Sequence, residues 1–256
     1  MALVYCSTMD QFIFIASLML VFLAAGTVKG VVGLGLPTTS LGLMTLFVAP
    51  RTAIAIVILP LLLTNAWQVY RAGEIGASVR RYAPLIVALV IFVWVVIRLS
   101  SQMDPRILLA VMGFSILLYV VVNLTKFSPR IPQKYDTHAQ LIAGVLAGIL
   151  GGLTSVWAPP MAVYLTARRV TKAEFIRASG LIFFLGSVPL AAGYIYAGHL
   201  TPQLAGISAL ILIPTFIGFW FGEKMRAHLS ETAFRNAVLV VFLIMGLNLL
   251  RRAYLG

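Results

Sequence analysis

Two stretches of the chain share one glycine rhythm inside long apolar surroundings, and each ends at proline. The first is GTVKGVVGLGLP, Gly26 to Pro37; the second is GVLAGILGGLTSVWAPP, Gly144 to Pro160. Gly26, Gly30 and Gly33 fall on Gly144, Gly148 and Gly151, a constant offset of 118 (144 minus 26). Glycine and proline interrupt helices. Broken backbone at membrane depth is tolerated only where protein buries it or where it lines a cavity. Paired Gly/Pro-interrupted hydrophobic segments in two halves of a chain point to a transporter's substrate site.

The apolar surroundings are those of a membrane protein. The 256 residues are 61% hydrophobic and 10% charged, against about 25% charged in a soluble domain. A β-barrel would alternate apolar and polar over about 10 residues, whereas these runs are continuous. They fall at 11–33, 35–49, 52–70, 82–100, 105–124, 138–151, 158–168, 172–197, 203–221 and 231–252. A spanning helix needs about 20 residues. The runs 35–49, 138–151 and 158–168 are short and flank the glycine motifs, so they read as half-helices or re-entrant hairpins. The expected fold is an all-α polytopic membrane protein of two inverted repeats, each a broken or re-entrant helical hairpin plus three spanning helices, about 8–10 membrane segments. The expected division is an N-terminal repeat 1–125, a cytoplasmic linker 126–137 and a C-terminal repeat 138–256.

The net charge of +12 arises from 19 Lys and Arg against 7 Asp and Glu. Basic residues collect in the cytoplasmic loops of membrane proteins, so membrane lipids are the expected partner of this charge, and nucleic acid is not. If the chain changes sides at each segment, 13 basic residues fall on one side and 5 on the other, with Lys29 left inside. The richer side is then cytoplasmic and both termini lie outside, in a multi-pass membrane protein. Met1 to Asp10 carries no Lys or Arg, so the first run reads as a span rather than a cleaved leader. Both halves contain an odd number of segments and therefore enter from opposite faces, which would bring the two glycine tips together near the midplane. RTAIAI (Arg51–Ile56) resembles TKAEFIRA (Thr171–Ala178), with Pro60 and Pro189 following and Ala72-Gly73 and Ala197-Gly198 closing each segment. One cysteine, Cys6, excludes an intrachain disulfide and any CxxC site.

Lys29 is the most informative single residue, with 18 residues between it and Asp10 and 21 between it and Arg51. A basic side chain at a span's centre costs about 2.5–3.5 kcal/mol. It either serves function or snorkels to an interface. The glycines either let helices pack closely or, with the prolines, open a half-helix whose N–H groups bind an anion. Gly30, Gly33, Gly35, Pro37, Thr38 and Thr39 are the candidates at the first break, and Thr154, Ser155, Trp157 and Pro159 at the second. Their hydroxyls are possible further donors. Asn65 and Gln68 share a helix face, and Ser187 lies in the corresponding segment. No carboxylate sits at membrane depth, so no Asp/Glu proton or sodium relay is expected, and the membrane potential is the expected driving force for export. Three scattered histidines make no metal site, no cofactor is expected, and no nucleophile–base–acid set marks an enzyme.

The two glycine motifs and the Arg51 and Thr171–Ala178 openings together resemble the sulfite exporter TauE/SafE family, over nearly the whole chain. The resemblance implies a secondary transporter or facilitator, an exporter, for a small sulfur-containing anion such as sulfite, thiosulfate or an organosulfonate like sulfoacetate. The competing reading is a non-transporting membrane subunit or scaffold whose glycines serve packing alone.

Overall fold

The structure, a computed structural model, describes residues 8–100, 103–125, 130–226 and 231–255, which are nearly all helical. Cys6, His228 and the linker residues 126–129 lie outside the described residues. The first half runs α1 (Thr8–Val32), α2 (Leu36–Met44), α3 (Pro50–Ala72), α4 (Ile75–Arg81), α5 (Ala83–Leu99) and α6 (Pro105–Thr125). A 3-10 turn at Gln133–Tyr135 then leads into α7 (Asp136–Thr154), α8 (Ala158–Ala167), α9 (Lys172–Tyr196), α10 (Pro202–Leu210), α11 (Leu212–Arg226) and α12 (Glu231–Leu255). Seven helical stretches are long and apolar enough to cross a membrane, and α4 with α5, bent by 79° at their junction, form an eighth.

One element differs from the sequence expectation. The run 138–151 belongs to a helix of spanning length, Gln133–Thr154 with its leading turn. Polar Asp136, His138 and Gln140 fill its first turns and hide that length. Asp136 is held there by the Tyr164 hydroxyl at 2.9 Å and Arg168 Nε at 2.9 Å. The run 203–221 lies in one spanning stretch, Pro202–Arg226, with a single turn at Ile211 between α10 and α11. The short companions α2 and α8, of 9 and 10 residues, are half-helices as expected.

Proline opens these helices more often than it breaks them: Pro37, Pro50, Pro159 and Pro202 all stand in first turns, where a missing N–H removes no helical bond. Pro60 is different, since it lies inside α3. It frees the Ile56 carbonyl one turn earlier, and Ser208 Oγ on α10 donates to that carbonyl at 2.6 Å.

The halves repeat one another in order and in packing. α1 packs along α11, and its counterpart α7 packs along α5; α3 crosses α9, and α6 crosses α12. A Cβ at Gly26 would lie 2.3 Å from the Thr215 oxygen, and one at Gly30 2.3 Å from the Phe219 oxygen. On α7, a Cβ at Gly148 would lie 2.9 Å from the Leu89 oxygen, and one at Gly152 3.1 Å from the Val93 oxygen. Matched by their helix ends, Val32 and Thr154, and by the starts of the next helices, Leu36 and Ala158, the halves lie at an offset of 122 (154 minus 32), which sets Gly26 and Gly30 on Gly148 and Gly152, one helical turn from the register of the glycine runs. Without side chains at these places the helix backbones touch, the close approach that small residues permit between membrane helices.

Gly30→Ala places a methyl against the α11 backbone, which cannot move aside as a side chain can. It should destabilise the protein by at least about 1–3 kcal/mol, read as a lower unfolding temperature in detergent. Gly206→Ala, with nothing within 4 Å of its Cβ position, should leave that temperature unchanged or raised.

Candidate functional site

α1 and α7 end in left-handed backbone: Gly33 at φ 84° and Gly35 at φ 97° in one half, Ser155 at φ 56° in the other. Glycine takes this conformation freely, while serine does so rarely. Gly33 and Ser155 correspond at the offset of 122 (155 minus 33). At that same offset Lys29 corresponds to Gly151, and Gly35 to Trp157. The halves thus place their bulk differently. One sends a long cation from the helix over a bare glycine break. The other sends an indole from the break over a bare helix position, where a Cβ at Gly151 would lie 1.8 Å from Trp157 Nε1. The indole stacks on Phe183 with ring centroids 5.8 Å apart and lies beside Gly186 of α9.

Lys29 is 1% exposed, so it does not snorkel. Its ammonium donates to Asn65 Oδ1 of α3. Among the described residues no carboxylate forms an ion pair with it. Asn65 is fully buried, and its Nδ2 has no partner. Trp157 Nε1 and Gln68 Oε1 are likewise buried without partners. Each such orphan costs about 1–3 kcal/mol, so three at the α3–α9 crossing call for an explanation beyond packing.

Other candidates take different places. Gly30 packs on α11, while Gly33 faces Ile176 and Arg226. Thr39, Thr154 and Ser187 donate their hydroxyl protons to Gly35, Leu150 and Phe184 oxygens at 2.8, 2.7 and 2.7 Å, and Ser155 to Thr154 oxygen at 2.6 Å. In this structure these hydroxyl protons are given to carbonyls of their own segments. Thr38 and Pro37 are buried in the first turn of α2. Pro159 is followed by Pro160, so the start of α8 lacks two N–H groups and makes a poor anion cradle.

The tips of the two breaks do not meet. Gly33 sits beside Ile176 near the start of α9. Gly152 and Leu153 share a small cavity with Arg51, Tyr194 and His199 near its end. From Ile176 to Tyr194 α9 rises about 27 Å. What reaches inward is side chains: Lys29 to Asn65, and Trp157 to Phe183. Gln68 Nε2 donates to the Ile176 oxygen at 2.7 Å at one end of the crossing, while Arg51 meets His199 at the other, so α3 and α9 run antiparallel.

Each break is accompanied by an arginine that the sequence showed only as a loop charge or a segment opening. Arg226 donates to the Val31 and Gly30 oxygens at 2.8 and 2.5 Å, covering the last carbonyls of α1. Arg51 donates to the Ser100 and Met103 oxygens at 2.9 and 2.6 Å and to His199 Nε2 at 3.0 Å. Around the α9 start, Arg177 pairs with Glu74 and Arg71 with Glu223, and Tyr82 donates to Glu174 at 2.8 Å. Both ends of the crossing are therefore tied by polar contacts.

Burial, and then the Arg51 guanidinium, hold the His199 imidazole below its ordinary value of 6.5. Arg98 lines the same side of the molecule and adds positive charge. The unfolded chain therefore takes up this proton before the fold does, and stability falls as the pH drops below about 6.5. His199→Gln, which keeps an acceptor for Arg51, should weaken the acid dependence of the unfolding temperature. The check is thermal unfolding across a pH series of both proteins.

The family model described as Sulfite exporter TauE/SafE matches residues 18–249, nearly the whole chain, and the chain belongs to that family. No curated protein and no solved structure matches it.

Proposed function

We propose that this sulfite exporter family member moves a small sulfur-containing anion, such as sulfite, thiosulfate or an organosulfonate, outward through the α3–α9 crossing. The observation that carries the reading is Lys29, a fully buried amine held by a neutral amide with no acidic partner. A buried charge without a counter-charge is costly. An anion bound beside the ammonium supplies the missing charge, and the loaded site is then neutral as it crosses. Trp157, beside Gly186 of α9, and Asn65 of α3 approach the crossing from opposite halves, while Arg51 and Arg177 tie its two ends. A monovalent anion leaving the cell is driven by an inside-negative potential and gains about 2.3 kcal/mol per 100 mV.

The repeats 1–125 and 138–256 are inverted in this reading, supported by the antiparallel crossing of the corresponding helices α3 and α9. The protein lies in the bacterial inner membrane with its termini outside. The abundance of arginines at the end holding Arg71, Arg81, Arg168 and Arg177 favours the cytoplasm there. A scaffold built only for packing leaves the orphaned polar groups unexplained.

Lys29→Met keeps length and removes charge. Efflux of sulfite or sulfoacetate from loaded proteoliposomes should fall at least about tenfold, the effect of losing about 1.4 kcal/mol or more of anion stabilisation. The unfolding temperature should hold or rise, because an uncompensated buried amine is gone. Undiminished efflux by this variant would remove Lys29 from the site.

A further inference from the structure

The orphaned groups at the crossing differ in kind, and the difference bears on which anions pass. An ammonium only donates, so the amide atom facing Lys29 must be the oxygen of Asn65, whatever the rotamer assignment. That contact turns Asn65 Nδ2 away from Lys29, where it has no partner. Indole nitrogen only donates as well. Asn65 lies one turn from Gln68, whose side chain abuts Gly180 of α9, and Trp157 lies beside Gly186. Because α3 runs antiparallel to α9, Asn65 lies about one turn from Gly180 toward Gly186, so the two unpaired donors stand along the Gly180–Gly186 stretch, less than about 9 Å of helix apart. An oxyanion edge with one hydrogen bond at each side fits within that span. The neighbouring acceptor, Gln68 Oε1, lies about a turn further toward the Ile176 end, beside Gly180.

We propose that Asn65 is a specificity-determining residue: fixed by Lys29 as a donor and paired across the crossing with the Trp157 indole, it selects oxyanions whose oxygens all accept. This rests on the reading that the anion sits beside Lys29. A sulfonate has three accepting oxygens and no O–H. The monoanion of a phosphonate has the same shape and charge but carries one O–H, which finds no acceptor between two donors. Leaving that group unpaired, or setting it against an N–H, lowers affinity by about tenfold to a hundredfold.

The test uses the wild-type protein in proteoliposomes, with flux of radiolabelled thiosulfate, which carries no proton at mildly acidic pH, inhibited by methanesulfonate or methylphosphonate, both monoanions there. Methanesulfonate should inhibit at concentrations at least about tenfold lower. Equal inhibition, stronger inhibition by the phosphonate, or inhibition by neither would overturn the inference while leaving thiosulfate transport intact. Absence of any thiosulfate flux would instead overturn the transport reading, and this one with it. Asn65→Leu supplies a second arm. It removes the donor without placing a charge beside Lys29, and the preference should shrink in residual flux. An undiminished preference in that variant would show that Asn65 does not set it. Should Asn65→Leu not fold, Trp157→Phe removes the other donor, and the same narrowing is expected.

Discussion

An amine sealed in a membrane interior against a neutral amide is the interaction on which the rest depends. Lys29 cannot reach water, and Asn65 offers it an oxygen but no charge. Whatever keeps this arrangement in place must exclude solvent from both directions. The clasps at Arg51 and around Arg177 and Glu74 do so by tying loops and helix ends rather than by filling the interior. The interior itself stays polar in a restricted way. Its hydroxyls face their own carbonyls, which leaves the Asn65 and Trp157 N–H groups and the Gln68 oxygen without partners.

The glycines make this possible by removing side chains from two seams. Along α1 and α11, Gly26, Gly30, Gly218 and Gly222 bring backbone onto backbone. That draws the Lys29 helix tight against its neighbour on one face while its amine reaches α3 from another. Along α7 the same glycine positions meet α5, but Gly151 has a second task, giving the Trp157 indole a socket. A duplicated scaffold therefore carries an unduplicated centre: a cation from one half and an aromatic donor from the other.

Much of this was legible in the chain. Composition and run length gave the membrane helices, and the paired motifs located both breaks and the half-helices α2 and α8. Lys29 stood out because its position among apolar residues has no cheap explanation. The misreadings have physical causes. Matching glycine to glycine gave an offset of 118, but glycines recur on each helix face every turn, so such a match fixes the face and not the turn. The full length of α7 was hidden because buried tyrosine and arginine partners stabilise its polar first turns. Where the hydroxyls near the breaks would point was not legible, because a nearby carbonyl of the same segment competes for each proton. Nothing in the sequence joins Arg226 to Gly30, or Arg51 to His199, because those contacts depend on how the halves meet.

Arg226 has a consequence for how the protein is made. It belongs to the second half but covers the carbonyls that end α1 in the first, across a separation of 195 to 196 residues. A ribosome adding about 5–20 residues per second needs roughly 10–40 s between the two. For that interval the first break has its glycines, its exposed carbonyls and its lysine, but no guanidinium and no α11 to seal them. Hydrocarbon is a poor place to wait with such groups unsatisfied. The nascent first half therefore needs a sheltered, hydrated berth in the insertion machinery until its last partners are synthesised.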